Sequence, residues 1–191
     1  MILIAGVDPG VNGAIALYDF EADKLFDVYP LPNFKIKVGR KTRTRLDEEA
    51  LADLFKGLAL MGVKFMGIEN VQGGNYGGKK QTAAGGFQFG YTYGVLRMAC
   101  LMVGIDHTTP SPAVWKLQEK VPRDAHGIVA KADVEFPEHK KKWHGPKGAD
   151  LHDRADAAFL ARYVARRLWP AQQPREGLRT LAKGVAKKVK L

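Results

Sequence analysis

The sequence has a single cysteine, no uninterrupted long apolar run, and fewer acids than bases. Cys100 alone excludes an internal disulfide and a zinc site built from several thiolates. The longest apolar stretch, residues 85–104, is broken internally by three glycines and by Arg97, which makes it poor material for a membrane span. No basic leader precedes the first acid, Asp8. We therefore expect a soluble, cytoplasmic protein that does not associate with membranes.

The charge balance is the feature that departs most from an ordinary globular protein. The chain has 30 Lys and Arg against 20 Asp and Glu, a net charge of +10 and a pI near 9.7. Such a surplus favours a polyanionic partner, because phosphates neutralised by basic side chains release condensed counterions. A length of 191 residues suits one compact domain. We predict one domain over 1–170 and a basic tail over 171–191, with nucleic acid as the partner.

The order of apolar runs predicts an α/β fold. Three closely spaced strands predict an antiparallel meander, since parallel strands need a longer crossover. Two further strands alternate with helices, which indicates a mixed five-stranded sheet with helices on both faces. The predicted strands cover 2–7, 13–18, 24–29, 63–68 and 104–108, and the predicted helices begin near 47, 81, 112 and 150. Residues 30–46 and 137–148, which are rich in basic side chains, are predicted as exposed loops.

Four acids stand where this fold would gather them. Asp8 ends the first strand and Glu69 ends the fourth, so both emerge at one sheet edge if those strands are neighbours. Asp153 and Asp156 lie three apart on the last helix, and Asp150 would extend their row. Singly, each acid has a structural explanation as a turn former or helix-dipole partner. Together they predict a carboxylate site for Mg²⁺ or Mn²⁺ that hydrolyses phosphodiesters.

Several motifs resemble those of one enzyme family, the RuvC-type Holliday junction resolvases, and particularly its phage members. The resemblance spans roughly residues 1–168. The matching segments are Asp8-Pro9-Gly10, Ile68-Glu69, Asp153-Arg154-Ala155-Asp156-Ala157, Pro112-Ala113-Val114-Trp115-Lys116, Lys131 and Phe136-Pro137. It implies a ribonuclease-H-like fold and a homodimer that cuts four-way DNA junctions by two symmetric nicks, using Mg²⁺.

The same resemblance assigns roles to individual residues. It implies that Asp8, Glu69, Asp153 and Asp156 are catalytic metal ligands, and that Lys131 lies near the scissile phosphate. His152 adjoins this set, and its role is left open. Cellular members of the family carry an aromatic residue three positions after the catalytic Glu, where this chain has Gln72.

The departure at Gln72 keeps other interpretations open. Tyr76 is a candidate to replace the aromatic residue by stacking on a base. A less selective nuclease for flaps and other branched DNA is one alternative, and a non-catalytic junction-binding protein is another. The motif Asp-x-Gly-x-x-Gly also occurs in actin-like sugar kinases and ATPases, but those need two such domains and a longer chain.

Basic and glycine-rich segments supply the remaining predictions. We expect DNA contacts from Lys35, Lys37, Arg40, Lys41, Arg43, Arg45, Tyr76, Lys79, Lys80, Lys116, Lys140, Lys141 and Lys142. Gly86, Gly90 and Gly94 recur every four residues on the long helix, where each glycine costs about 1 kcal/mol relative to alanine. We expect these glycines to let the helix backbone approach closely either the protein's own sheet or a second copy of the chain.

Overall fold

The computed structural model describes residues 1–70 and 82–171, together with the backbone of 75–76 and 79–80. The strands are β1 (Leu3–Asp8), β2 (Ala14–Asp19), β3 (Lys24–Pro30), β4 (Asn33–Val38), β5 (Lys41–Leu46), β6 (Val63–Ile68), β7 (Asn75–Tyr76), β8 (Lys79–Lys80) and β9 (Asp106–Thr108). The α-helices are α1 (Glu48–Leu60), α2 (Ala83–Val103), α3 (Pro112–Gln118), α4 (Ala125–Glu135) and α5 (His152–Tyr163). The tail predicted over 171–191 lies, after its first residue, outside the described residues.

Five strands form the central sheet, in the order β3-β2-β1-β6-β9. β1 pairs antiparallel with β2, and β2 pairs antiparallel with β3 through short turns. β6 lies parallel to β1, and β9 lies parallel to β6. The predicted combination of an antiparallel meander with parallel strands is confirmed.

Apolar side chains cover both faces of this sheet. On one face, Ile4 and Ala16 pack with the buried residues of α3, α4 and α5. On the other face, Leu3 and Val7 pack with the buried residues of α1 and α2. Helices therefore lie on both sides, as predicted, because each face of the sheet carries its own apolar set.

α5 lies unusually close to the sheet, across a pair of adjacent glycines. Gly6 of β1 and Gly67 of β6 are partners in the parallel register. A Cβ atom at Gly6 would lie 2.2 Å from the backbone nitrogen of Ala161, and one at Gly67 would lie 2.3 Å from a methyl carbon of Val164. Residues 155–165 are all buried, so the helical chain has no exposed face over this length.

The segment 30–46, predicted as a loop, is a β-hairpin. β4 and β5 pair antiparallel from Asn33 opposite Leu46 to Val38 opposite Lys41. Gly39 makes the turn with a φ of +62°, a conformation that glycine adopts without steric cost. Phe34, Ile36 and Val38 alternate with polar residues along β4, which is the period-two pattern of a strand.

The segment between α3 and α5 is also more ordered than predicted. α4 was not predicted, and it begins at Asp124, whose carboxylate accepts a hydrogen bond from Gly127 N at 2.7 Å. Residues 137–148, predicted as an exposed loop, form two 3₁₀ turns around a fully buried Trp143. Asp150 pairs with His144 in a β-bridge and precedes α5, so it does not extend the row of acids on that helix.

The sequence predicts that the chain does not cross a membrane. Within the described part of the chain, no helix combines the length and the apolar character that a membrane crossing requires.

Candidate active site

Two of the predicted acids come from neighbouring parallel strands. Val7 and Ile68 are register partners, so Asp8 and Glu69 follow at the same edge of the sheet. The backbone nitrogen of Glu69 donates to Val7 O at 2.9 Å, which extends the ladder by one bond. Asp8 Oδ1 accepts a hydrogen bond from Gly10 N at 2.9 Å, and this holds the carboxylate at the turn after β1. The strand ends thus bring both acids together as predicted.

α5 supplies the other two acids. Asp153 lies in its first turn and Asp156 one turn later, where only 8% of its surface is exposed. The charges of Asp153 and Asp156 act on Asp8 and on Glu69, so this end of the helix lies near the strand ends that carry them. His152 Nε2 lies 3.0 Å from Asp153 Oδ1, so the histidine contacts the set.

The four carboxyl groups are close enough to influence one another's ionisation. Burial raises the pKa of Asp8 well above its usual value, and the charges of Asp153, Glu69 and Asp156 raise it further. Burial is also the main cause of the raised pKa of Glu69, to which Asp156 and Asp153 add. The pKa values of Asp153 and Asp156 are likewise raised, chiefly by burial. An acidic cluster of this kind favours a cation.

Two residues of α3 contact the cluster. Lys116 Nζ lies 2.7 Å from Asp156 Oδ1, and its charge opposes the rise in the pKa of Asp156 and of Glu69. Trp115 donates from Nε1 to Glu69 Oε1 at 3.0 Å. Lys116 was predicted as a DNA contact, but the structure makes it the counter-ion of a buried acid. Trp115 was missed, because the sequence gives no sign of which carboxylate an indole will reach.

The donor set suits a hard divalent cation. All four predicted ligands are carboxylates, and Mg²⁺ and Mn²⁺ prefer oxygen ligands. Asp156 Oδ1 is buried and has no hydrogen bond of normal geometry, although Lys116 lies close to it. Within residues 1–70 and 82–171, the structure groups no three His, Cys, Asp or Glu side chains in a way that could hold an ion. The carboxylate ligands therefore suit such a metal, but in this structure Asp156 contacts Lys116 instead.

Lys131 lies in a different network. Its amine pairs with Glu135 on the next turn of α4, and Glu135 in turn contacts the buried Arg162 of α5. Arg162 also donates from Nε to Glu119 at 2.7 Å. The cations that most influence Glu69, Asp153 and Asp156 are Lys116 and His152. Lys116 is thus the lysine whose contact with one of the four acids the structure shows, while the role predicted for Lys131 stays a prediction.

The residues predicted to contact DNA differ in how exposed they are. Lys35, Lys37, Arg40, Lys41 and Arg43 are exposed on the β4–β5 hairpin, and Arg45 is half-buried at its base. The side chains of Tyr76, Lys79 and Lys80 lie outside the described residues, as does Gln72.

The lysine run after α4 is partly engaged in ion pairs. Lys142 Nζ lies 2.6 Å from an oxygen of Asp27 on β3, and Lys140 Nζ lies 3.3 Å from Asp133. Lys141 is exposed. Two of the three lysines predicted to bind DNA therefore also tie the 137–142 turn to the body of the protein.

Comparisons with protein-family models and with curated protein sequences gave no match. Comparison with solved structures gave matches to junction resolvases. Thermus thermophilus RuvC in complex with Holliday junction substrate matches with a TM-score of 0.55 and 12% identity, over 86% of this chain and 96% of that chain. The fold is that of a RuvC-type resolvase. The predicted ribonuclease-H-like architecture is thereby confirmed.

Two further solved structures give lower scores. A second Thermus thermophilus RuvC structure matches with a TM-score of 0.46 and 14% identity, over 86% of this chain and 96% of that one. The yeast mitochondrial Holliday junction resolvase Ydc2 matches with a TM-score of 0.45 and 17% identity, over 95% of this chain and 85% of that one.

Proposed function

We propose that this chain is a metal-dependent DNA endonuclease that resolves four-way junctions by paired, symmetric nicks. The observation that carries the proposal is the cluster of Asp8, Glu69, Asp153 and Asp156 at one edge of a RuvC-like sheet. A net charge of +10 suits a DNA substrate. The RuvC structure that the fold matches best among those described was solved with a Holliday junction.

In this proposal the four carboxylates hold one or two Mg²⁺ or Mn²⁺ ions. When bound, such ions activate water for attack on phosphorus and stabilise the leaving oxygen. Asp156 would hold the ion in place of its contact with Lys116, whose amine would remain at the site as a positive charge for the phosphate. Trp115 fixes the orientation of Glu69 through the indole hydrogen bond. Gly10 N does the same for Asp8.

We propose that the active unit is a homodimer formed through the exposed second half of α2, from Gly94 onward. A Cβ atom at Gly90 or Gly94 would meet nothing within 4 Å, so these glycines do not serve packing on the protein's own sheet. Met98, Leu101 and Met102 are exposed on the following turns. An apolar groove of about 410 Å³ runs between this part of α2 and α1. Exposed apolar surface of this kind is typical of an interface.

The deciding experiment is cleavage of a synthetic immobile four-way junction in Mg²⁺, read on denaturing gels with each strand labelled in turn. We expect two nicks at symmetric positions from the unmodified chain and none from Asp8→Asn. Asp53→Asn, an equivalent change at an exposed acid of α1, should cut normally. Three-way junctions and linear duplex should be cut at least tenfold more slowly.

Other outcomes select the other interpretations. Equal cleavage of all branched substrates would replace the resolvase by a less selective branched-DNA endonuclease. Tight junction binding without cleavage would indicate a non-catalytic junction-binding protein. Undiminished cleavage by Asp8→Asn would refute the proposed metal site.

A further inference from the structure

A second concave site lies away from the acids, between the β4–β5 hairpin and the first half of α2. It is a cavity of about 360 Å³ lined by Phe34, Arg45, Leu46, Glu48, Phe87 and Tyr91, and is called here the aromatic pocket. Its three aromatic residues are exposed by 44% (Phe34), 75% (Phe87) and 37% (Tyr91). Exposed apolar surface edged by charge marks binding sites more often than isolated exposed residues do.

Arg45 is held at the edge of this pocket. It is the register partner of Phe34 across the hairpin, so the two side chains project from the same face. Its guanidinium donates from Nη1 to Gln88 Oε1 at 2.7 Å, which ties the hairpin to α2. Arg43 and Lys41 occupy the next positions on that face, opposite Ile36 and Val38. A row of positive charge therefore leads along the hairpin to the pocket.

The interior of the pocket differs from its edge. Glu48 lines it, and the Tyr91 hydroxyl donates to Glu48 Oε1. A carboxylate at this position repels a phosphate but can accept hydrogen bonds from the N–H groups of a nucleobase. Leu46, which is fully buried, adds an apolar wall. The cavity volume is at the low end of the range for ligand pockets, about 300–1,000 Å³, which suits one base and not a longer segment.

The pocket is joined to the acidic site through the start of the hairpin. Asn33 directly precedes Phe34, and its side-chain amide donates to Val11 O at 3.2 Å, in the turn that follows Asp8. Asn33 also lines a surface depression that Asp153 lines as well. A DNA strand that passes the acids therefore meets the base of the hairpin next.

We propose that the aromatic pocket receives one unstacked nucleobase from the branch point of the DNA, while Arg45, Arg43 and Lys41 contact the adjoining phosphates. This inference rests on the proposed function. Stacking on aromatic rings stabilises a base that has left its helix, whatever its sequence. Bases at a branch point are the ones that lose stacking partners at least cost. Such a pocket gives selectivity for branched over linear DNA.

The test compares intact four-way junctions with junctions that carry one abasic site, placed in turn at each branch-point nucleotide. Binding is measured by fluorescence anisotropy in EDTA, so that cleavage does not interfere. We expect one abasic position to weaken binding by the unmodified chain about tenfold, the scale of losing one stacked base. Phe87→Ala should bind the intact junction about tenfold more weakly, with no further loss at that abasic position.

Matched variants separate the pocket from general effects. Phe26→Ala removes an aromatic residue that is 37% exposed and does not line the pocket, and it should behave like the unmodified chain. Phe34→Ala, on the other wall, should reproduce Phe87→Ala. Both pocket residues are exposed, so neither change should impair folding.

Three results would overturn the inference. The first is tight junction binding by the unmodified chain with no penalty at any abasic position. The second is a full abasic penalty in Phe87→Ala. The third is a loss of dimer mass in sedimentation caused by Phe87→Ala without an effect on DNA binding, since a second copy would then cover the pocket. Failure of junction cleavage would refute the proposed function instead, because this test measures binding alone.

Discussion

Asp8 stands in surroundings that oppose its negative charge. Burial is the largest cause of its raised pKa, followed by the charges of Asp153 and Glu69. An acid whose pKa is higher in the folded than in the unfolded chain binds protons more tightly when folded. Its contribution to stability therefore falls as the pH rises from the unfolded pKa to the folded one, and stays unfavourable above both. When charged, these carboxylates therefore lower the stability of the chain, which under the proposed function needs them to bind metal.

We predict that Asp8→Asn raises the melting temperature in EDTA at pH 8 while abolishing cleavage. Relief of one buried charge on the order of 1 kcal/mol corresponds to about 2–4 °C in a domain of this size. The gain should shrink as the pH is lowered through the raised pKa of Asp8, because the aspartic acid becomes neutral there. Differential scanning calorimetry from pH 4 to 8 measures both effects. An unchanged or lower melting temperature at pH 8 would contradict the prediction.

At the level of single residues, the sequence predicted the acids but not their partners. Asp8 and Glu69 could be predicted because each ends an apolar strand, and strand ends meet at one sheet edge. Lys116 could not, because a lysine on a short helix reads equally well as a solvent-exposed DNA contact. Its contact with Asp156 depends on how α3 packs against α5, which is a property of the tertiary structure.

Among the elements, α5 depends most directly on the absence of side chains beneath it. The Cβ that Gly6 lacks would overlap the backbone of Ala161, and backbone atoms cannot rotate away as a side chain does. The positions of Asp153 and Asp156 over Asp8 and Glu69 therefore depend on a residue that takes no part in the chemistry.

Gly6→Ala should destabilise the fold and reduce cleavage together. Overpacking in a core costs about 1–3 kcal/mol, and contact with the backbone of both Ala157 and Ala161 puts this change at the upper end. Gly57→Ala on α1 is the matched control, because a Cβ there meets nothing within 4 Å. It should stabilise the protein by about 0.5–1 kcal/mol, as alanine favours helix over glycine. Urea unfolding and junction cleavage compare the two variants. Equal stability in both would show that α5 can move at no cost.

The elements that sequence analysis missed are those whose apolar pattern is short or hidden by charge. The β4–β5 hairpin alternates apolar and basic side chains. Because of its high charge, this segment was predicted as an exposed loop. α4 buries only Ile128, Val129 and Ala132 and carries Gly127 in its first turn, which obscures its helical period. The three inner strands β1, β2 and β6, which are mostly apolar, were predicted within one residue.

At the scale of the whole molecule, the second half of α2 presents an apolar face to the surface. Gly94, Met98, Leu101 and Met102 recur at helical spacing and face away from both cores. Apolar surface that is exposed in one chain is buried when two chains associate. The glycines allow the two backbones to approach closely, which is consistent with the proposed homodimer.

We expect sedimentation at micromolar concentration to give a mass twice that of the 21.0 kDa chain. Gly94→Arg, which places a long charged side chain on this face, should give a monomer and lose paired nicking. Gly94→Ala at the same position should remain dimeric, since one methyl group fits at a helix contact far more easily than a guanidinium. A monomeric unmodified chain would contradict the proposed homodimer, and a dimeric Gly94→Arg would place its interface elsewhere.

The close packing of α5 against β1 also has a consequence for synthesis and folding. The two segments lie at opposite ends of the described chain, and contacts between distant segments form late and slowly. A ribosome delivers Asp8 and Glu69 long before the helix that completes the set. Incomplete chains therefore lack half of the carboxylates, so under the proposed function they cannot cut DNA before the last helix has been made.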